Sequence, residues 1–282
     1  MEINNFTDQY GADYISSRSN GTIVSLSKLS DKKYRDKSRL FLSEGTKLAE
    51  EALLHSEVVY LILCETAIIE DKKEILALAE SAHRKGIRII AASEPAFEKI
   101  CSEKSPQGVI AVSKYMDCHV SADTADFFSW QKDRRLILLD NIQDPGNFGT
   151  IIRSAAAMGF YGVVAINCAD IYSTKALRAS MGAMFRCDIY HSVSPIGDIQ
   201  LLRENGRRVL AAALDEHSYT LGEVELMESD CIVIGNEGHG IDEKILSVCD
   251  AALKIPMTDG SESLNAAAAA AIILWEYHRK FK

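Results

Sequence analysis

Short apolar runs alternate with segments of helical period along the first half of the chain. The run Val58–Cys64 is almost entirely aliphatic, which is typical of a buried strand, and the segment after residue 71 carries apolar residues at helical spacing. We predict strands at 39–45, 58–64, 87–91 and 108–113, and helices at 46–55, 71–85 and 95–100. This alternation predicts a compact α/β domain.

The second half of the chain repeats the alternation and opens with the apolar run LILLD (136–140). We predict strands at 136–140, 161–167, 208–214, 231–235 and 251–255, and helices at 151–158, 173–184 and 266–274. Continuous aliphatic runs indicate strands that are covered on both faces. The predicted fold class is therefore α/β, with a parallel sheet between two layers of helices.

The chain is long enough for two domains, since it has 282 residues of which 47% are hydrophobic. Residues 1–20 are polar and show no period, so we expect a flexible tail there. Residues 21–116 form the first predicted domain and residues 134–282 the second. The stretch 117–133 between them is polar and poor in aliphatic residues, which indicates a linker.

The C-terminal stretch IPMTDGSESLNAAAAAAIILWE (255–276) joins a strand end, a polar loop and an Ala-rich helix. Pro256 cannot donate to a sheet, so the preceding strand must end there. We predict Ser261 or Ser263 as the N-cap of the helix. Open α/β sheets bind ligands where such a loop meets a helix N-terminus, although an ordinary core helix would carry the same pattern.

Composition limits the class of protein. No apolar run reaches the roughly 18 residues of a membrane span, and the N-terminus lacks both the basic start and the apolar core of a signal peptide. We therefore expect a cytoplasmic protein that is not associated with a membrane. The seven cysteines are scattered, without CxxC pairs or clustered histidines, which predicts reduced thiols and no metal site.

The net charge of −9 conceals a basic segment at residues 28–47. Seven lysines and arginines stand there against three acidic residues, a local balance of +4. Such a segment forms either a solvated helix face or a patch that neutralises the phosphates of a nucleic acid. The charge pattern alone leaves both interpretations open.

Three strand-to-loop junctions carry most of the unusual chemistry. Motif 1 is DNIQDPGNFGTIIR (140–153), motif 2 is GNEGHG (235–240) and motif 3 is IPMTDGSESLN (255–265). In a parallel sheet all three lie at one edge. A nucleotide-dependent oxidoreductase has little support, because motif 2 has the spacing GxxGxG and no acidic residue follows where a dinucleotide site needs one.

Together and in this order, motifs 1 to 3 resemble those of the SpoU (TrmH-type) family of SPOUT methyltransferases, over residues 136–282. The first domain resembles that family's substrate-binding domain, similar to ribosomal protein L30e, through LFLSEG (40–45) and SPQGVIAV (105–112). The resemblance implies a SPOUT-type parallel sheet with a deep C-terminal trefoil knot. It also implies methyl transfer from S-adenosyl-L-methionine to a ribose 2′-hydroxyl of rRNA or tRNA.

The resemblance assigns catalytic roles by position. Arg153 becomes the residue that activates the ribose hydroxyl, and we favour an electrostatic stabiliser over a base, because a guanidinium stays protonated in proteins. The residues that orient the ribose, the loops and Arg153 are Asn147, Glu237, Ser263 and Asn265. The family often has Val-Ser after the Asn of motif 3, where this chain has Ala266 and Ala267. One hydroxyl is thus missing, but both residues stay small.

The resemblance also implies the ligand contacts. Backbone groups that hold the cofactor's adenine are expected at Gly235, Ile255 and Leu264, with further cofactor contacts from Asn236, Gly240 and Met257. RNA contacts are expected from Lys32, Lys33, Arg35, Lys37 and Arg39 in the basic segment. Further candidate RNA contacts are Lys175 and Arg178, in the segment STKALRASMGAMF (173–185).

We expect a homodimer built on the C-terminal helix. The rear half of this helix is apolar on more than one face, which the core of a single subunit would cover poorly. Its apolar residues are Ile272, Ile273, Leu274, Trp275 and Tyr277. The family resemblance points the same way. The alternative function is a catalytically silent RNA-binding protein of the same fold. The joint presence of all five catalytic candidates argues against that alternative.

Overall fold

The computed structural model describes residues 1–117, 119–120, 134–214, 218–258 and 263–282. These residues form two compact units. Unit 1 comprises Met1–Met116 together with Tyr172–Phe185, and unit 2 comprises Asp117–Ile171 together with Arg186–Lys282. Each unit is built on a sheet of its own.

Unit 1 contains a five-stranded mixed sheet in the order β1-β4-β3-β5-β2. Its strands are β1 (Asp13–Ile15), β2 (Leu40–Glu44), β3 (Val58–Cys64), β4 (Arg88–Ala92) and β5 (Val109–Lys114). Its first seven helices are α1 (Ile3–Tyr10), α2 (Gly21–Ser27), α3 (Lys32–Ser38), α4 (Thr46–His55), α5 (Glu65–Ile69), α6 (Lys73–Arg84) and α7 (Glu94–Ile100). The predicted strands and helices of the first domain are confirmed within one or two residues in most cases.

The predicted flexible tail at residues 1–20 is wrong, because this segment packs into unit 1. The side chains of Phe6 and Tyr10 in α1 are buried. Strand β1 pairs in parallel with β4, and the carboxylate of Asp13 lies 2.8 Å from Nε of Arg88. Two large apolar side chains four residues apart are enough to dock a short helix, but they give too weak a period to recognise in a polar sequence.

Unit 2 contains an eight-stranded sheet in the order β11-β13-β10-β12-β7-β8-β9-β6, with every neighbouring pair parallel. Its strands are β6 (His119–Val120), β7 (Leu136–Asp140), β8 (Gly162–Ile166), β9 (Asp188–Ser192), β10 (Val209–Ala212), β11 (Tyr219–Thr220), β12 (Cys231–Ile234) and β13 (Ala251–Lys254). Its helices are α8 (Pro145–Ala157), α10 (Pro195–Glu204), α11 (Glu243–Leu246) and α12 (Ala266–Lys280), whereas α9 (Thr174–Ser180) belongs to unit 1.

The predicted parallel α/β sheet is confirmed. Strands β7, β8 and β12 are buried along their whole length, which explains why their sequences are continuous apolar runs rather than alternating ones. Of the stretch 117–133 that we predicted as a linker, residues 119–120 form the edge strand β6. Residue 118 and residues 121–133 lie outside the described part of the chain.

The C-terminal helix α12 begins at a different cap from the predicted one. The side chain of Asn265 accepts hydrogen bonds from the backbone N–H groups of Ala267 and Ala268, at 3.0 and 3.3 Å. The predicted N-cap at Ser261 or Ser263 is therefore wrong: Ser261 lies outside the described residues, and Ser263 precedes the helix by three positions. Asn is as good an N-cap as Ser, and here it directly precedes the alanine run.

A buried polar contact fixes the far end of α12. The hydroxyl of Tyr277 donates to Oδ2 of Asp230 at 2.7 Å, and both residues are fully buried. Asp230 also accepts two hydrogen bonds from the guanidinium of Arg208, at 3.0 and 2.8 Å, and one from the backbone N–H of Met227. Burial and the hydrogen bond to Asp230 raise the pKa of the Tyr277 phenol well above its usual value.

We expect Tyr277→Phe to lower the free energy of unfolding by about 1–3 kcal/mol, because it removes one donor from a buried carboxylate. Urea denaturation followed by circular dichroism would measure the change. Tyr219→Phe is the matched control, since Tyr219 is 52% exposed in the same unit, and it should change the stability by less than about 0.5 kcal/mol. Equal stability of Tyr277→Phe and wild type would contradict the prediction.

Residues 172–185, which the sequence places in the middle of the second domain, pack with unit 1. The ring of Tyr172 stacks on that of Tyr115 with centroids 4.0 Å apart, and its hydroxyl accepts from the backbone N–H of Met116 at 2.8 Å. Nη1 of Arg178 lies 3.6 Å from Oε2 of the buried Glu44. These contacts lie far apart in sequence, and no local pattern reveals them.

None of the described helices is long and apolar enough to cross a membrane. Within the same residues, no group of three or more His, Cys, Asp or Glu side chains is placed to hold a metal ion.

Candidate functional site

The three sequence motifs meet at one edge of the unit 2 sheet. Motif 1 follows β7, motif 2 follows β12 and motif 3 follows β13. Because β7 and β12 are parallel neighbours and β13 is parallel to the next strand, β10, all three motifs leave the sheet from its carboxyl end. This is the edge at which open parallel sheets bind ligands.

Motif 2 folds into a tight turn. The backbone groups of Asn236 and Gly240 exchange two hydrogen bonds of 2.9 Å. The side chain of Asn236 accepts from the backbone N–H groups of Gly238 and His239 and donates to the carbonyl oxygen of Asn141 in motif 1. Asn236 therefore organises its own turn and ties that turn to motif 1.

Motif 1 begins the helix α8 earlier than the sequence indicates. We predicted a turn at residues 144–147 and a helix from 151, but the helix starts at Pro145, with the Asp144 carboxylate accepting from the backbone N–H of Asn147 at 2.9 Å. An Asp N-cap before a Pro at the first helical position is a favourable helix start. Asn147 thus lies in the first turn of α8.

Asn147 connects all three motifs. Its side-chain Nδ2 donates to Oε1 of Glu237 in motif 2, and its Oδ1 accepts from Nδ2 of Asn265 in motif 3 at 3.2 Å. Asn265 in turn caps α12. Three of the five residues that we predicted to be catalytic therefore form one hydrogen-bonded chain, although up to 118 residues separate them in the sequence.

A cavity of about 360 Å³ lies beside this chain of hydrogen bonds, and we call it the motif cavity. All six residues that we predicted to contact the cofactor line it: Gly235, Asn236, Gly240, Ile255, Met257 and Leu264. Glu237 and Ser263 line it as well. Its volume is within the range of about 300–1,000 Å³ that is usual for small-molecule sites.

The motif cavity suits a ligand with a flat apolar part and a polar edge. Its apolar walls come from Ile234, Leu253, Ile273 and two small residues of the C-terminal helix, Ala266 and Ala269. The loops after β12 and β13 border the same space through residues such as Gly235, Asn236 and Ile255. A nucleoside can be held in this way without a charged ribose clamp.

Arg153 lies elsewhere on α8. The side chain of Arg153 is exposed. Its backbone lies six residues after Asn147, which is roughly 9 Å along the helix axis. Within the described residues the Arg153 guanidinium makes no hydrogen bond or ion pair. This exposed guanidinium is available to a phosphate or a developing alkoxide, whereas hydrogen bonds hold Asn147, Glu237 and Asn265 in place.

Asp140, the last residue of β7, is not among the site residues predicted from the sequence. Asp140 is 4% exposed, and its Oδ2 accepts from the backbone N–H of Asp242 at 2.8 Å, which fixes the segment after motif 2. Burial raises the pKa of the Asp140 carboxyl. An acidic residue at the very end of an otherwise aliphatic strand was the available signal.

The predicted RNA contacts in unit 1 fall into two groups. Lys32, Lys33, Lys37 and Arg39 are exposed on α3 and at its C-cap. Arg35 is 4% exposed, and its Nη1 donates to the carbonyl oxygens of Leu29 and Ser30, so its assignment to RNA is wrong. It faces the core because it lies on the inner face of a helix whose other cations point outward.

The two RNA candidates in the segment 173–185 also differ. Lys175 is exposed. Nη1 of Arg178 lies 3.4 Å from Glu103 in addition to its contact with Glu44, so two carboxylates already neutralise this arginine. Arg178 is thus paired within unit 1, and its contact with RNA stays a prediction.

Two family models match separate parts of the chain. The family model described as the SpoU rRNA Methylase family matches residues 134–275. The chain belongs to this family. A second model, the MRM3-like substrate binding domain, matches residues 20–111. Membership confirms the resemblance drawn from motifs 1 to 3.

Members of the SpoU family with assigned activities are similar over nearly the whole chain. The 23S rRNA (guanosine(2553)-2′-O)-methyltransferase of Bacillus subtilis is 34% identical over 93% of this chain and 97% of its own length. The 23S rRNA (uridine(2479)-2′-O)-methyltransferase of Streptomyces viridochromogenes is 29% identical over 89% of this chain and 87% of its own.

A solved structure is also similar over nearly the whole chain. The crystal structure of an AdoMet-bound rRNA methyltransferase from Sinorhizobium meliloti matches with a TM-score of 0.82 and 26% identity, over 96% of this chain and 99% of that one. The SPOUT fold class that the sequence implied is therefore confirmed.

Proposed function

We infer that this protein transfers a methyl group from S-adenosyl-L-methionine to a ribose 2′-hydroxyl of RNA. The observation that carries this inference is the hydrogen-bonded chain Glu237–Asn147–Asn265 beside the motif cavity. It joins the three motifs of the SpoU family in one site. A protein that only bound RNA would not need this cavity and this chain of side chains side by side.

The residues of the motif cavity fit S-adenosyl-L-methionine, because aliphatic walls and loop backbone groups suit its adenosine part. When bound, this cofactor supplies an electrophilic methyl group on a sulfonium. The protein must then align the ribose hydroxyl with that methyl group, and holding two reactants in attack geometry contributes several kcal/mol.

Charge develops on the ribose oxygen as it attacks, and Arg153 is the residue that we assign to stabilise it. Its guanidinium stays protonated, so it lowers the energy of the developing alkoxide by charge and hydrogen bonding rather than by removing the proton. Glu237, Asn147 and Asn265 hold the loops that border the cavity, and Ser263 lies at its wall. These four residues position the reactants, and Arg153 stabilises the charge that develops on the ribose oxygen.

Transfer of label tests the proposed function directly. The full-length protein, tritiated S-adenosyl-L-methionine and ribosomal RNA from cells that lack the gene should yield labelled 2′-O-methylnucleosides after nuclease digestion. Binding of S-adenosyl-L-methionine without transfer to rRNA, ribosomal subunits or tRNA would favour the catalytically silent alternative. Binding of NAD in its place would favour the oxidoreductase.

Ribosomal RNA is the substrate class that we propose. Two of the relatives are named for their action on 23S rRNA. The segment that matches the MRM3-like substrate binding domain contains the exposed cations of α3. Exposed lysines and arginines on one helix are the ordinary means of neutralising phosphates.

We expect the triple reversal of Lys32, Lys33 and Lys37 to Glu to weaken RNA binding, because three phosphate contacts are lost. The slope of log K against log salt concentration should become shallower by about 2–3, roughly one per lost contact. Filter binding at several salt concentrations would measure both quantities. Unchanged affinity and slope would show that α3 is only a solvated face.

The matched control for this experiment reverses three exposed cations elsewhere in unit 1. Lys72, Lys73 and Arg84 lie at the two ends of α6. Their reversal to Glu changes the net charge by the same amount. It should reduce RNA affinity through long-range charge alone, with a much smaller change in salt slope.

We further propose that the protein is a homodimer through α12. Ile272 and Trp275 are 41% and 54% exposed and lie three residues apart, so they share one face of the helix. Ile273, Leu274 and Tyr277 are buried within unit 2. An exposed Trp beside an exposed Ile is the kind of surface that a second subunit covers.

Trp275→Glu should dissociate the dimer, because it would place a charge at the centre of the proposed interface. Sedimentation equilibrium at micromolar concentration should then give the monomer mass of 31.1 kDa for the variant and twice that value for wild type. The affinity for S-adenosyl-L-methionine should fall as well, since α12 begins at the cofactor loop. Leu54→Glu, at a 64% exposed position of unit 1, is the control that should remain dimeric.

Two other features remain proposals. We propose the C-terminal trefoil knot because of the path of the chain. It first places β13 on the far side of β10, and it then returns to pack α12 on α8 and on β12. We propose a cytoplasmic location because ribosomal RNA is found there and the six described cysteines are free thiols.

A further inference from the structure

Four side chains of unit 1 form a series that runs from the core to the surface, and we call it the aromatic stack. The ring of Phe41 is fully buried, and its centroid lies 4.5 Å from that of Tyr172, which is 5% exposed. The ring of Tyr172 stacks on that of Tyr115, with centroids 4.0 Å apart and planes at 20°. Cζ of Arg39 lies 4.4 Å from the centroid of the Tyr115 ring.

Arg39 is the outermost member of the aromatic stack. Tyr115 is half-buried, whereas Arg39 is exposed. Because Tyr172 covers one face of the Tyr115 ring, the guanidinium of Arg39 covers the other face. A guanidinium is planar, stacks on aromatic faces and is more weakly hydrated than an ammonium. The aromatic stack therefore ends in a flat, cationic surface at the solvent.

The ring that supports this guanidinium is fixed in place. The hydroxyl of Tyr115 donates to Oδ1 of Asp36 at 2.8 Å, and the backbone N–H of Tyr115 donates to the carbonyl oxygen of Arg39 at 2.8 Å. Among the residues that the structure describes, the guanidinium of Arg39 makes no hydrogen bond or ion pair. Its charge and its N–H groups are therefore available to a ligand.

The backbone of Arg39 has a conformation that favours glycine. Arg39 is the C-cap of α3, with φ of 57° and ψ of 35° in the left-handed region. Glycine is the usual residue at such a helix end, because it adopts this conformation without steric cost. The N–H that donates to the carbonyl oxygen of Arg35 would be present in a glycine as well. Helix capping therefore does not explain an arginine here, and its side chain needs another role.

The residues near this end of α3 suit a nucleic acid. Lys32, Lys33 and Lys37 are exposed on the helix. Tyr34 between them is 39% exposed, and Nζ of Lys28 lies 5.6 Å from the centroid of its ring. Proteins that bind single-stranded RNA combine cations for the phosphates with aromatic rings or guanidinium planes on which bases stack. Helix α3 and its C-cap provide both kinds of group.

The geometry points to Arg39 as a stacking plane for an unpaired base of the RNA substrate, with Tyr115 as its support. This inference rests on the proposed function, because it takes the ligand to be RNA. Every base has a flat π-face, so the contact holds a single-stranded loop or end of the RNA without selecting a sequence. It differs from the phosphate contact expected from the charge pattern, since a phosphate binds the N–H edge of a guanidinium and a base binds its face.

Binding of two short oligomers by the full-length protein separates a base contact from a phosphate contact. One is an oligoadenylate of about ten nucleotides, and the other is an abasic ribose-phosphate chain of the same length. Arg39→Lys keeps the charge but loses the plane. It should weaken binding of the oligoadenylate about fivefold or more, and it should leave binding of the abasic chain and the salt slope unchanged. Fluorescence anisotropy at several salt concentrations would measure these quantities.

A second variant excludes misfolding as the cause. Arg39→Gly removes the side chain but suits the left-handed backbone, so its thermal midpoint should stay close to that of wild type. It should bind the oligoadenylate more weakly than Arg39→Lys does, because the charge is lost together with the plane. Met181→Gly is the matched control, since Met181 is the C-cap of α9 in the same unit and has φ of 49°. It should bind both oligomers as wild type does.

The inference is overturned if Arg39→Lys binds the oligoadenylate as tightly as wild type, if it weakens binding of both oligomers equally, or if wild type does not prefer the oligoadenylate. Transfer of label from S-adenosyl-L-methionine is a separate measurement. A protein that labels rRNA but fails the oligomer test refutes the stacking plane and leaves the proposed function intact. A protein that passes the oligomer test without labelling any RNA supports the stacking plane and refutes methyl transfer.

Discussion

Arg153→Ala should lower the rate of methyl transfer by a factor of about 10²–10³, the usual cost of removing a donor that stabilises a developing oxyanion. The affinity for S-adenosyl-L-methionine should stay within about twofold of wild type, because Arg153 does not line the motif cavity. Single-turnover kinetics with unmethylated rRNA, together with calorimetry for the cofactor, would measure the two effects separately.

Arg153→Lys distinguishes charge from geometry. A lysine keeps the positive charge but lacks the planar fork that can bridge a phosphate and an alkoxide, so we expect an intermediate rate. Arg84→Ala is the control, since Arg84 is an exposed helical arginine of unit 1 that pairs with Glu80. It should have the wild-type rate. An Arg153→Ala variant with wild-type turnover would remove Arg153 from the mechanism.

The convergence of the three motifs could be predicted from the sequence, because it depends on one regularity. Each motif follows an apolar strand run, and the carboxyl ends of parallel strands share an edge. The residues that meet there, such as Asn147 and Glu237, are polar groups placed directly after those runs. Their convergence can be predicted without knowing the order of the strands or the hydrogen bonds between the side chains.

The positions that the sequence did not predict depend on contacts between distant segments. Arg35 has the same local sequence character as Lys33 and Lys37, but the helix turns it inward, onto the carbonyl oxygens of Leu29 and Ser30. A charge count cannot show which cation a helix buries.

The packing of the segment 172–185 is a second case. Its local pattern is that of an amphipathic helix in an α/β domain, and such a helix would normally cover the sheet that precedes it. Instead Tyr172 stacks on Tyr115 and Arg178 pairs with Glu44, so the segment joins unit 1. The partners are 57 and 134 residues away in the chain, beyond the reach of any periodicity.

Gly235→Ala should disrupt the cofactor site through a steric clash. A Cβ at this position would lie 2.5 Å from both the carbonyl carbon and the carbonyl oxygen of Gly240, and 2.6 Å from Cγ1 of Ile241. The backbone of Gly240 cannot give way without breaking its paired hydrogen bonds with Asn236. Overpacking of this kind costs about 1–3 kcal/mol. Because the same turn borders the motif cavity, we expect the affinity for S-adenosyl-L-methionine to fall by roughly 5- to 150-fold.

Gly238→Ala provides the control within the same turn. A Cβ there would meet only Oδ1 of Asn236, at an ordinary contact distance of 3.5 Å, so cofactor affinity should stay close to wild type. Titration calorimetry on both variants, with circular dichroism to verify folding, gives the comparison. If Gly235→Ala binds S-adenosyl-L-methionine as tightly as Gly238→Ala, the motif 2 turn is not part of the cofactor site. The motif cavity would then bind a different ligand, because a change in its wall would have left the affinity for S-adenosyl-L-methionine unaltered.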